Sequence, residues 1–177
     1  MQLVTLKDKQ FKPYISSDKI EAAVKKVASQ INADLKNEMP LFIAVLNGSF
    51  MFAADLMKNM EMPCEISFVK MASYHGTQST GVVNELIGLN QDISGRTVVI
   101  VEDIVDTGNT IEKLVEILKK KNVKDLRIAT ALLKPSVYKK DIKINYVGME
   151  IPNDFVVGYG LDYDGLGRNF KEILVIA

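Results

Sequence analysis

Residues 98–111 read VVIVEDIVDTGNTI, and the way this stretch is parsed decides the fold. Val98, Val99, Ile100 and Val101 form a short β-branched run with the composition of a buried strand. Ile111, Leu114, Val115 and Leu118 then recur at helical spacing, so the stretch runs from a strand through a short loop into a helix. Such junctions hold anions. Gly108 can take a positive φ, the helix start offers free N–H groups and a partial positive charge, and Thr107 and Thr110 add hydroxyls. Yet Glu102 and Asp103 are the first polar residues after the apolar run, with Asp106 close behind. A loop suited to an anion opens with three carboxylates.

Outward from this junction the same alternation repeats. Residues 16–37 place Ile20, Val24, Val27, Ile31 and Leu35 on one helical face, and Asp18 with Glu21 resembles a helix-start signal. LFIAVL (41–46) has the look of a buried strand ended by NGS, and FMFAADLMKNM (50–60) reads as a helix. CEISFVKMASY (64–74) alternates as a strand, HGTQSTG (75–81) is a polar loop, and VVNELIGL (82–89) is a returning strand. LRIATALL (126–133) is a further apolar strand, and INYVGMEI, FVVGYG and EILVIA are short strands with loops. Strands alternating with helices predict an α/β fold, a single domain with a mainly parallel sheet of about five strands flanked by helices. Ligands of such sheets bind beyond the carboxyl ends of the strands. The loops after residues 46, 101 and 133 are therefore expected along one edge.

Composition bounds the function. Lys plus Arg equals Asp plus Glu at 22 each, so no global field draws the chain to nucleic acid or to an anionic membrane. Any anion site must be local. Cys64 stands alone, which excludes an internal disulfide and fits a reducing compartment. MQLVTLKDKQFKPY lacks the apolar core of a signal peptide, and no run approaches the ~18 apolar residues of a membrane span. A soluble, cytoplasmic protein is expected.

The carboxylates make sense if the anion is the phosphate of a sugar. The loop contains no lysine, and neither a triphosphatase phosphate loop nor a GxGxxG occurs, so the cradle suits one monophosphate. A ribose diol near that phosphate presents hydroxyl donors that paired carboxylates accept, and carboxylates also stabilise a sugar carbon that becomes positive. VVIVEDIVDTGNT resembles the 5-phosphoribosyl pyrophosphate (PRPP) signature of the type I phosphoribosyltransferases. The resemblance implies PRPP binding by Glu102, Asp103, Asp106, Thr107, Gly108, Asn109 and Thr110, with Asp106 as general base and Mg2+ beside Glu102 and Asp103.

Four further stretches are similar to the 6-oxopurine (hypoxanthine–guanine) branch. VLNGSFMFAADL (45–56) resembles its pyrophosphate loop, which in that family carries a non-proline cis peptide; Asn47 and Gly48 would bind PRPP, and Asn47 stands where many members have lysine. SYHGTQSTG (73–81) resembles the catalytic lid, with Ser73 and Tyr74 closing over substrate to exclude water; His75 reads as a solvated lid residue. In ALLKPS, Lys134 would donate to the purine 6-oxygen. In IPNDFVVGYGLDYDGLGRNF, Phe155 would stack on the purine, Val156 and Leu161 line its pocket, Asp162 stand near the pyrophosphate Mg2+ and Arg168 grip pyrophosphate, although DYDGLG has two extra glycines against many relatives. The core would span about 18–150, with a hood from the N-terminal segment and about 151–177.

The implied reaction is salvage, 6-oxopurine plus PRPP giving the purine 5′-mononucleotide and pyrophosphate. The Lys134 and Phe155 context argues against orotate or uracil, while a xanthine-preferring enzyme stays open. A non-catalytic PRPP-sensing regulator would need a nucleic-acid-binding appendage or basic stripe, and the balanced charge offers neither. By resemblance the chain forms a homodimer or homotetramer, with FMFAADLM (50–57) as candidate interface or as ordinary core.

Overall fold

The computed structural model describes residues 3–71 and 86–177. In chain order the elements are β1 (Val4–Leu6), β2 (Lys9–Ile15), α1 (Ser17–Leu35), β3 (Leu41–Val45), α2 (Phe50–Met57), β4 (Glu65–Met71), β5 (Leu86–Ile87), β6 (Thr97–Val105), α3 (Asn109–Lys119), β7 (Asp125–Leu133), β8 (Tyr146–Glu150), β9 (Val156–Val157) and β10 (Ile173–Ile176). Two sheets result. One has the order β5-β4-β3-β6-β7-β8, and the other β1-β2-β10-β9.

In the larger sheet β4, β3, β6, β7 and β8 are parallel, as expected for five apolar strands separated by helices. The short β5 adds a sixth, antiparallel strand beside β4. Every residue of β3 is buried, because helices cover both faces. Ile20, Val24, Val27, Ile31 and Leu35 of α1 pack with Phe52, Ala53 and Leu56 of α2 on one face, while Ile111, Leu114, Val115 and Leu118 of α3 cover the other. Each large side chain so buried contributes about 1.5–3 kcal/mol.

Three boundaries differ from the sequence reading. The strand expected to end at Val101 continues to Val105, since Glu102, Ile104 and Val105 keep their register with Thr130, Leu132 and Leu133 of β7. Glu102 and Asp103 therefore sit on the strand rather than in the loop, while Asp106 follows it. The α2 helix stops at Met57, where the Asn59 side-chain amide donates to the Asp55 carbonyl at 2.8 Å. Ser16, not Asp18, occupies the N-cap of α1 and makes no side-chain capping bond; Glu21 pairs instead with Lys25 at 2.5 Å.

The second sheet is antiparallel throughout and joins the two ends of the chain. The β1–β2 hairpin pairs through β2 with β10, which pairs in turn with β9. Phe11, Leu6, Val157 and Leu174 form its own apolar cluster. The C-terminal edge of the parallel sheet is stitched by backbone bonds: Leu46 N–H donates to the Val69 carbonyl, Lys134 N–H to Val105 and Ile151 N–H to Leu133, at 2.8, 2.9 and 2.9 Å. The loops after β3, β6, β7 and β8 thus begin side by side.

Candidate functional site

Glu102 is 5% exposed and, with residues 104–111, lines a cavity of about 80 Å³. The buried acid and the Asp106–Thr110 loop therefore share one hollow. Gly108 caps α3 at a φ of 84°, and no side chain caps the helix start, so its first N–H groups are left for a ligand. Thr107, Asn109 and Thr110 are exposed around it.

Burial pushes the Glu102 carboxyl well above the usual carboxylate range, and the charge of Asp103 adds to the push. Burial also raises Asp103, against the Ile104 N–H that donates to its Oδ1 at 2.8 Å and against the Arg168 guanidinium. Buried as it is beside a second carboxylate, Glu102 keeps its proton to higher pH than an exposed glutamate. The folded state holds this proton more tightly than an unfolded Glu near about 4.3, so stability falls as pH rises from that value towards the folded one. Glu102→Gln should raise the melting temperature of ligand-free protein at pH 8, and the gain should vanish near pH 4. Calorimetry at the two pH values checks this; a lower melting temperature at pH 8 would refute the buried-charge account.

The loop after β3 meets these acids directly. Leu46–Asn47 is a cis peptide, as the resemblance implies, and Asn47 is exposed while Gly48 and Ser49 are buried. A Cβ on Gly48 would lie 1.5 Å from Asp103 Oδ2, so only glycine lets this backbone lie against the carboxylate. On its other side a Cβ on Gly160 would lie 2.0 Å from the Gly48 carbonyl oxygen. Arg168 Nη1 donates to the Gly160 carbonyl at 2.7 Å, and its Nη2 pairs with Asp162 Oδ1 at 2.6 Å. Asp162 Oδ2 accepts the Gly165 N–H at 2.7 Å. Glu102, Asp103, Gly48, Asp162 and Arg168 thus form one connected cluster. One of the two extra glycines of DYDGLG, Gly165, has a local purpose: Tyr163 and Leu166 exchange backbone bonds of 2.9 and 3.0 Å around Asp164 and Gly165, both at positive φ, the dihedral signs of a type I′ turn. Asp-Gly is the sequence signal for that turn.

Lys134 is buried at the end of β7, with its side chain 9% exposed, which excludes the plain surface lysine. Its ammonium donates to Asp106 Oδ2 and to Asn153 Oδ1, both at 3.4 Å. Phe155 is 44% exposed, its ring 6.2 Å from Phe11 and 5.8 Å edge-on from Tyr163. Its ring is therefore not part of the core. Val156 and Leu161 are buried beside it in the chain. Asn153 was not singled out by the sequence, and no local pattern marks it: its link to Lys134 spans two loops. Ser73, Tyr74 and His75 lie outside the described residues.

Mg2+ keeps several waters and is held by one or two carboxylates plus substrate oxygens. The adjacent carboxyl groups of Glu102 and Asp103 supply such hard-oxygen ligands, and among the described residues no three acidic, His or Cys side chains converge into a cage. The donor set suits a cation that arrives with a diphosphate.

The family model described as phosphoribosyl transferase domain matches residues 14–164. The chain is similar to a hypoxanthine-guanine phosphoribosyltransferase of Streptococcus pneumoniae, 41% identical over 93% of this chain and 92% of that protein. It is 40% identical to the Bacillus subtilis protein of the same name over the same shares. Among solved structures, a Bacillus anthracis hypoxanthine-guanine phosphoribosyltransferase superposes with a TM-score of 0.82 at 36% identity, covering 94% of this chain and 96% of that one. The Trypanosoma cruzi hypoxanthine phosphoribosyltransferase gives 0.83 at 32%, covering 93% and 95%.

Proposed function

This chain belongs to the phosphoribosyltransferase family, and on that premise we propose that it transfers the 5-phosphoribosyl group of PRPP to N9 of hypoxanthine and guanine, releasing pyrophosphate. The observation that carries the reading is the shared edge at which a sugar-type acid pair, a helix-start phosphate cradle and a buried lysine beside Asp106 converge. Purified protein mixed with PRPP, Mg2+ and each of hypoxanthine, guanine, xanthine and adenine tests it by nucleotide absorbance. Turnover with the first two and rejection of adenine are expected; turnover with none would refute it, and preference for xanthine would move the substrate.

In this reading the backbone of residues 107–110 holds the 5′-phosphate, and Glu102 and Asp103 accept the ribose hydroxyls. Asn47, Gly48 and Arg168 bind the pyrophosphate, the guanidinium matching its oxygens. Phe155 carries the purine, Val156 and Leu161 flank it, and Lys134 donates to its 6-oxygen. The bond from the anomeric carbon to pyrophosphate breaks, positive charge grows on the sugar, and the N9 lone pair closes the new bond. Asp106 takes the N7 proton. Glu102 and Asp103 on the ribose side, and Asp162 on the pyrophosphate side, are the residues that would hold Mg2+, whose chemistry there would be to neutralise leaving-group charge. Ser73 and Tyr74 would close over the site and exclude water. The whole chain acts as one domain, its core about 18–150 and its hood from the two ends, in a cytoplasmic enzyme.

Self-association belongs to the same reading. Phe50 of α2 is 42% exposed, and Ile66 and Phe68 of β4 are 36% and 42% exposed, in register with Phe42 and Ala44 on the sheet face that α2 covers. Phe52, Ala53 and Leu56 are core instead. A homodimer or homotetramer would bury the exposed three. The double variant Phe50→Asp, Phe68→Asp should sediment as a monomer where the parent sediments as an oligomer; an unchanged sedimentation coefficient would remove this interface.

A further inference from the structure

Tyr159 occupies a backbone conformation that its side chain does not favour. It stands between Gly158 and Gly160 with a φ of 50°, and Gly160 follows at 97°. Gly158 and Leu161 exchange backbone bonds of 3.0 Å each, so Tyr159 and Gly160 are the two central residues of a turn with type I′ signs. Asn, Asp and Gly are the residues such positions prefer, and a bulky aromatic persists there only where the surroundings over-determine it. They do. The ring is 5% exposed, and the phenol donates to Asp55 Oδ2 of α2 at 2.8 Å. Burial, and then Asp55, push the phenol above its ordinary pKa, so it remains a donor. Asp55 is fixed from its other oxygen by Lys58 at 2.6 Å.

The two ends of this contact lie on the two pieces that meet at the pyrophosphate side of the site. α2 is continuous at its start with Asn47, Gly48 and Ser49. The Tyr159 turn carries Gly160, which abuts the Gly48 carbonyl and takes the Arg168 guanidinium on its own carbonyl. The strand side of the turn needs no such tie, because Val156 and Val157 are already paired with β10. We infer that Tyr159, through Asp55, is a positioning residue that sets the distance between the pyrophosphate loop and Arg168, and so governs binding at the pyrophosphate end of PRPP and not at the base. The inference rests on the transferase reading above.

Steady-state kinetics of the full-length protein in both directions tests it. Tyr159→Phe removes one hydroxyl and keeps the ring, and should raise the KM for PRPP, and for pyrophosphate in the reverse reaction, by about five- to tenfold. The KM for hypoxanthine and for its nucleotide should stay within about twofold, since no lost bond touches that side. Asp55→Ala should match it, and the double variant should be no worse than either single one, as for two members of one contact. Asp55→Asn keeps an acceptor for the phenol while discarding the Lys58 pair, and should raise the KM less than Asp55→Ala. A merely structural role would lower the melting temperature and affect both substrates alike. An active parent whose Tyr159→Phe variant shows equal changes at both ends, or none, overturns the inference alone. A parent inactive with every purine overturns the transferase reading and this inference with it.

Discussion

Asp106→Asn is expected to lower kcat by about 10²–10⁴-fold, the usual range for losing a positioned general base. The KM for PRPP should move by no more than about threefold, because the phosphate cradle is built from Gly108, the threonines and the start of α3, none of which asparagine disturbs. Asp106 follows β6 directly, and its Oδ2 lies 3.4 Å from the Lys134 ammonium. A 6-oxopurine presents O6 and N7 side by side, an acceptor beside the nitrogen that must lose a proton when N9 attacks. A lysine donor adjacent to a carboxylate acceptor is the complement of that edge. Asparagine preserves the shape and one acceptor but takes no proton, so binding should survive and turnover should not. Single-turnover measurement with PRPP prebound isolates the step. A full-rate burst would remove Asp106 from the base role, whatever the steady-state rate.

The fold was legible where periodicity carries information. Three apolar runs and two amphipathic helical faces led to a parallel sheet with helices on both sides, and the buried residues of α3, and of α1 apart from Ala28, are those the spacing picked out. The end of β6 was not legible. Polar residues normally close a strand, and only the register with β7, set by residues 28 positions away, shows that Glu102 to Val105 are still paired. That extension is what buries Glu102 and raises its pKa, so the electrostatics of the acid pair were out of reach too. Of the antiparallel sheet, β9 and β10 were foreseen as short strands within FVVGYG and EILVIA, but β1 and β2 were not, and their pairing was out of reach because β2 finds its partner β10 at the opposite end of the chain. Of the site, the residues within a continuous motif were readable. Asn153 against Lys134, and Asp55 against Tyr159, are contacts between motifs, and a one-dimensional pattern cannot show them.

Lys134→Met is expected to lower kcat/KM for hypoxanthine by about 10- to 150-fold, the worth of one charged hydrogen bond of about 1.5–3 kcal/mol. The loss should sit in the KM for the base, with the KM for PRPP unchanged. Methionine keeps the length of the stem, so the apolar packing around a side chain only 9% exposed survives, and the effect reads the ammonium alone. Discrimination should change as well. An ammonium can only donate, so it rewards a 6-oxygen and meets the amino group of adenine donor to donor. Without it the penalty on adenine disappears while the reward for hypoxanthine is lost, and the two kcat/KM values should converge from both sides. Lys134→Gln separates these effects, because its amide can turn an acceptor towards adenine as readily as a donor towards hypoxanthine. Were the methionine variant to bind hypoxanthine as tightly as the parent and still refuse adenine, selection at the 6-position would have to come from elsewhere in the pocket, and the pairing of Lys134 with Asp106 would be no more than a salt bridge between two loops.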